Sequence, residues 1–111
     1  MSDSASETNL DEDELNLLTE CVFGPQNKKT LKHLSETVRQ NFATLDEFYR
    51  ELLKMRYGFA PYGERHTFEE VREAMGITTR ERVRQMEQMA LARLRHPRAG
   101  LFEDRQLDLL N

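Results

Sequence analysis

The chain has no tryptophan, one cysteine, three prolines and five glycines in 111 residues. A lone Cys21 forms no internal disulfide and fits a reducing compartment; its place in a Leu-rich stripe suggests packing rather than reactivity. Without tryptophan, the core must rest on Leu, Val, Met, Phe and Tyr. No apolar run reaches membrane-spanning length, and the opening MSDSASETNL lacks the basic and apolar regions of an export signal. The expectation is a cytoplasmic protein with no membrane partner. Strand-like alternation is missing throughout, so the fold class is all-α, with about five helices. His33, His66 and His96 are far apart and unspaced with the cysteine, so no metal set is expected. A glycine-rich phosphate loop, a nucleophile elbow and a paired-carboxylate pattern are missing too. These absences predict neither an enzyme nor a cofactor. The length suits one small domain with arms.

What is present is unevenly distributed charge. Residues 1–24 hold seven acids and no base, and residues 25–64 hold seven bases against five acids. Residues 65–98 carry eight arginines against five acids, and the net charge of the chain is −4. The asymmetry predicts three parts. Residues 1–24 form an acidic segment, partly disordered, with a short amphipathic helix; residues 25–98 form the helical domain; residues 99–111 form a tail.

Helical periodicity marks the elements. Leu15, Leu18, Cys21 and Val22 make a first stripe that begins near Asp11, where acids suit the helix dipole, and Gly24-Pro25 stops it. A second helix starts near Lys28 with Leu31, Leu34, Val38 and Phe42. A third covers residues 45–57, and Gly58 is a natural residue to follow its end. Residues 59–66 read as a loop. Thr67 and Glu70 then form a capping box for a short helix with Phe68, Val71 and Met75, ending near Gly76. A long helix follows, opened either by Thr78 boxed with Glu81 or by Thr79. Its stripe is Val83, Met86, Ala90 and Leu94, which leaves Arg80, Arg84 and Gln88 on the other face.

Residues 67–96 thus make a helix-turn-helix pattern whose second helix opens with Arg80, Glu81, Arg82, Arg84 and Gln85 and closes on Arg93, Leu94, Arg95 and His96. Arginines and amides on first turns are the partners that base edges and phosphates need. A plain solvated arginine face is the competing interpretation.

At these residues the chain resembles region 4 of the bacterial sigma-70 family, the domain that reads the −35 promoter element. The stretches LLKMRYGF, HTFEEVREAMGIT, TRERVRQME and LRHP run in family order over residues 45–97. The resemblance implies a recognition helix whose N-terminal residues enter the major groove. Arg80 would pair with guanine, Glu81 would accept from a cytosine amino group, and Gln85 would reach an adjacent base. Arg84 and Arg82 would add contacts to the same DNA, and Arg93 and Arg95 would face DNA or an upstream activator. Arg56 and the backbone N–H groups near Thr67 would hold phosphate. Docking on the β-flap of RNA polymerase is implied as well, with Leu45, Phe48, Tyr49, Leu52 and Leu53 as candidates; ordinary core packing is the alternative for each.

Four departures stand out. Two threonines lie between Ile77 and Arg80 where the family usually has one residue. An extra helical residue would rotate the contact set by about 100°, whereas a loop that absorbs it, with Thr79 as cap, preserves the readout. Asp46-Glu47-Phe48-Tyr49 replaces a more basic pattern, and Met89 and Ala92 stand where basic residues are common. Nothing resembles region 2, which captures melted DNA. The leading expectation is a split or detached region 4 that binds −35-type DNA and RNA polymerase, with a separate region 2-like protein as a possible partner. One alternative is a regulator that binds polymerase or a sigma factor without reading DNA, with the acidic segment covering the basic helix or merely solubilising the chain. Another is a dimeric repressor that uses the N-terminal helix or the LFEDRQLDLL tail.

Overall fold

Asp11 opens the first helix reciprocally. Its carboxylate accepts from the Glu14 N–H at 2.8 Å, and the Glu14 carboxylate accepts from the Asp11 N–H at 3.1 Å. The computed structural model describes residues 10–96, so the expected disorder of residues 1–9, the Pro97 ending and the tail lie outside the described residues. Helix α1 spans Glu12–Phe23 and stops at Gly24, whose N–H donates to the Glu20 carbonyl. Helix α2 spans Lys28–Thr44, with the Asn27 side chain accepting from the Thr30 N–H. Helix α3, Glu47–Tyr57, begins two residues later than its apolar stripe. The Asp46 carboxylate takes the Phe48 N–H at 2.9 Å, so Leu45 falls in the extended link before the helix.

Gly58 ends α3 in the left-handed conformation at φ 73°, and a Cβ there would sit 2.8 Å from the Glu64 carbonyl carbon. Glycine is needed on both counts. Residues 59–66 form the expected loop, yet its Phe59 is buried in the core. Helix α4 spans Phe68–Met75 behind the Thr67–Glu70 capping box, and Gly76 closes it. Helix α5 spans Arg80–Arg95, with Thr79 as its N-cap. Among the described residues there are five helices and no strand, so the fold is all-α as expected. No helix among them is long and apolar enough to cross a membrane.

The packing centres on α5, which touches each of the other four helices. Leu15 and Leu18 of α1, Val38 and Phe42 of α2, Leu52 and Leu53 of α3, Val71 of α4, and Val83, Ala90 and Leu94 of α5 are almost fully buried together. Each large aliphatic or aromatic side chain in this set contributes about 1.5–3 kcal/mol relative to exposure. The acidic α1 is therefore one wall of the common core. A further clamp joins α2 to α5: the Asn41 Nδ2 donates to the Leu94 carbonyl at 2.6 Å, satisfying an acceptor in the last turn of the helix. Some residues of the expected apolar stripes are less buried than their period suggests. Leu31 and Leu34 are half-buried. Cys21 is exposed rather than packed, although its sulfur lies against the Tyr57 hydroxyl and burial of that sulfur pushes the thiol above its usual range.

Candidate nucleic-acid interface

The turn between α4 and α5 decides how the arginines are presented. The Thr79 hydroxyl accepts from the Arg82 N–H at 3.0 Å, and Thr79 keeps an extended backbone, so the helix starts at Arg80. The Thr78–Glu81 box does not form. Glu81 lies two residues past the cap, one short of the position from which a side chain can reach back. Thr78 and Thr79 therefore both lie before the first residue of the helix.

The core side of α5 is Val83, Met86, Glu87, Ala90 and Leu94. Opposite it, Arg80, Glu81, Arg82, Arg84, Gln85 and Gln88 are all exposed. Arg80 is the freest of the arginines engaged by a carboxylate: its side chain is 72% exposed, and its Nε stands 3.8 Å from Glu69 Oε1. Glu69 itself is held by Arg72 through Nε at 3.0 Å and Nη2 at 2.6 Å, so α4 orders the approach to the first turn of α5. Arg84 grips Glu81 in a two-toothed pair, Nε at 3.0 Å and Nη2 at 2.5 Å. The Arg84 hydrogen bond holds the Glu81 carboxyl below the usual carboxylate range, as Arg72 does for Glu69. Both carboxylates stay charged at neutral pH.

The other expected site residues fall elsewhere. Arg56 is turned inward. Its Nε donates to Glu87 Oε1 at 3.0 Å, its Nη1 donates to the His66 carbonyl at 2.8 Å, and its guanidinium lies 4.0 Å above the Phe68 ring. To clamp phosphate it would have to leave these partners. At Thr67 the backbone N–H already donates to Glu70 and the Glu70 N–H to Thr67 Oγ1. With Glu69 and Glu70 in that first turn, the local charge opposes an anion. Arg93 stacks 4.8 Å above Tyr49, and Arg95 lies 5.4 Å from the Phe23 ring, so both arginines are drawn toward aromatic neighbours.

Among the residues expected to face polymerase, Leu45, Leu52 and Leu53 are core residues and can shape a docking surface only from beneath. Phe48 is 38% exposed, and Tyr49 is half-buried under Arg93.

Glu87 was missed from the sequence, and it is the most connected polar residue of the interior. Besides Arg56 it accepts from the Tyr57 hydroxyl at 2.6 Å. Burial, then the bond to Glu87, pushes the Tyr57 hydroxyl far above the ordinary tyrosine range. The signal was available. A carboxylate between Met86 and Ala90, in the register of a core stripe, calls for a buried counter-charge.

The comparisons with known proteins agree with this architecture. The family sequence model described as "Sigma-70, region 4" matches residues 42–96. Over 73 residues, 66% of the chain, it is 38% identical to the RNA polymerase sigma factor SigA of Bacillus sp. and 37% identical to SigA1 of Synechococcus elongatus. The match covers 19% and 18% of those two relatives. SigA of Microcystis aeruginosa matches at 37% over the same share of the chain and 17% of its own length. The chain thus spans less than a fifth of the length of these curated relatives. No solved structure matched it significantly. With helices α3 to α5 inside the matched span and the capped turn between α4 and α5 intact, the chain belongs to the sigma-70 family through a region 4 domain at residues 42–96.

Proposed function

We propose that this chain is a transcription-initiation factor or regulator that binds −35-type promoter DNA through α4 and α5 and docks on RNA polymerase at the β-flap. The observation that carries the proposal is the Thr79 cap, which starts α5 at Arg80 and leaves Arg80, Glu81, Arg84 and Gln85 exposed at its N-terminal end. An exposed helix start carrying arginine, carboxylate and amide groups matches what the major groove offers: guanine O6 and N7, the cytosine amino group, and adenine N6 and N7. Arg82 and Arg84 would add phosphate or base contacts, and Arg93 and Arg95 would lie nearest an upstream activator. Arg56, engaged with Glu87, is assigned to holding the reading helix rather than to the phosphate. On the polymerase side, Phe48 and Tyr49 would offer the exposed apolar area, while Leu45, Leu52 and Leu53 lie in the core.

A second reading, a regulator that binds polymerase or a sigma factor without sequence-specific DNA contacts, is favoured by one observation. Helix α1 packs against α5 and carries Glu12, Asp13, Glu14 and Glu20 with no base. Such a wall repels phosphate near the reading helix.

The test is fluorescence anisotropy on promoter and scrambled duplexes across a salt series. The promoter duplex should bind at least tenfold more tightly, and Arg80→Ala should remove most of the difference. Equal binding to both duplexes, unchanged by Arg80→Ala, would sink the DNA-reading proposal in favour of the second reading.

A further inference from the structure

The exposed stripe of α5 does not end with the residues of its first two turns. From Glu81, steps of four and three residues lead to Gln85 and then Gln88, so the three side chains lie close to one line along the helix. Gln88 is exposed, and neither a hydrogen bond nor an ion pair engages its amide among the described residues. Its surroundings are open. It forms the rim of a groove of about 380 Å³ whose other walls are Val22 at the end of α1 and Leu91, Ala92, Arg95 and His96 of α5. The neighbours on the stripe differ in this respect, since the Glu81 carboxylate is occupied by Arg84.

Gln88 stands about 12 Å along the axis from Arg80. That is about two helical turns further on, on the same exposed face as Glu81 and Gln85. A glutamine amide has one acceptor and two donors, the set that pairs in two-toothed fashion with adenine through its N6 amino group and N7.

We infer that Gln88 is an additional specificity-determining residue, which reads one adenine in the major groove beside the base contacted by Gln85. The inference rests on the DNA-reading function proposed above. It extends the recognised element by one A·T pair on the side toward the C-terminus of α5. Met89, on the flank of the stripe, brings no hydrogen-bonding group to that position, so Gln88 supplies the discrimination there.

The experiment uses the full chain and a promoter duplex in which each base pair is replaced in turn, with wild type, Gln88→Ala and Gln88→Glu measured in parallel. Wild type should lose about 5- to 150-fold in affinity when the adenine is replaced, the range expected for a two-toothed base contact. Gln88→Ala should show no loss at that position and the wild-type penalties at all others. Gln88→Glu should prefer cytosine there, because a carboxylate accepts from the cytosine amino group. A duplex with 7-deazaadenine, which lacks N7, should weaken wild type and leave Gln88→Ala unchanged; a phosphate or purely structural role cannot produce that pattern. Identical position-by-position profiles for wild type and Gln88→Ala would overturn the inference while leaving the DNA-reading proposal standing. Uniform losses at every position in Gln88→Ala would also overturn it. A wild type that discriminates at no position would remove the proposal and the inference together.

Discussion

Arg56 of α3 and Glu87 of α5 meet as a nearly buried ion pair, Nε to Oε1 at 3.0 Å, with side chains 22% and 10% exposed. The pair ties the helix before the loop to the middle of α5. Removing one partner strands the other charge, and such losses are about 3–5 kcal/mol in buried pairs. Glu87→Ala should therefore lower the urea midpoint strongly at unchanged slope, with Arg56→Ala milder because its guanidinium is partly wet. Arg56→Met combined with Glu87→Leu should recover most of the stability. A double variant no better than Glu87→Ala would show that the pair is not what Glu87 contributes.

The cap at the start of α5 gives a contrast between neighbouring threonines. Thr79→Ala deletes the acceptor of the Arg82 N–H and should cost about 1 kcal/mol of stability, together with affinity for the promoter duplex. Thr78→Ala touches no cap and should stay within about 0.5 kcal/mol of wild type. Thermal unfolding of both variants checks the order, and the reverse order would place the start of the helix at Thr78.

Glu81 restrains Arg84 in the free protein. Glu81→Gln releases that guanidinium without changing the size of the side chain. Affinity for scrambled duplex should rise, and its salt dependence should steepen by about one unit of log–log slope if Arg84 takes up one phosphate. Discrimination at the cytosine expected for Glu81 should fall at the same time. A salt slope equal to that of wild type would show that Arg84 gains no phosphate when freed.

Stability should respond to alkali through the tyrosines. The Tyr62 hydroxyl donates to Glu51, and that bond, with some burial, raises its pKa from the ordinary value of 10.0 to about 12. The folded state therefore keeps a proton that the unfolded chain gives up above pH 10. The contribution is complete below that pH and is lost as pH rises from 10 to 12. Tyr57, shifted in the same direction, adds to the fall. Urea midpoints measured from pH 8 to 12 should drop beyond pH 10, and Tyr62→Phe should drop less. Identical pH profiles for the two proteins would exclude Tyr62 as a source.

The helices were legible because their signals are local. Asp11, Thr67 and Gly76 act on atoms within four residues of themselves, and the stripe of α5 follows from its period. Leu45 was misplaced because an apolar residue next to a helix start has the same period as one inside it, and only the Asp46 carboxylate separates the two. The pairing of Arg56 with Glu87 was not legible because the sequence neighbours of Arg56 carry no trace of a carboxylate thirty-one residues away. The threonine turn was ambiguous because Thr78 and Thr79 are chemically equivalent as caps, and only the folded chain shows that Thr79 takes the Arg82 N–H.

The helix that carries the exposed arginine and amide groups is also the post on which every other helix leans. These two duties fall on opposite sides of one cylinder. Val83, Met86, Glu87, Ala90 and Leu94 answer to the interior, while Arg80, Glu81, Arg84, Gln85 and Gln88 are exposed. Substitution on the outer side therefore leaves the scaffold intact. A library randomised at those five outer positions should yield folded members almost throughout, a ready means of turning one small protein into a panel of readers.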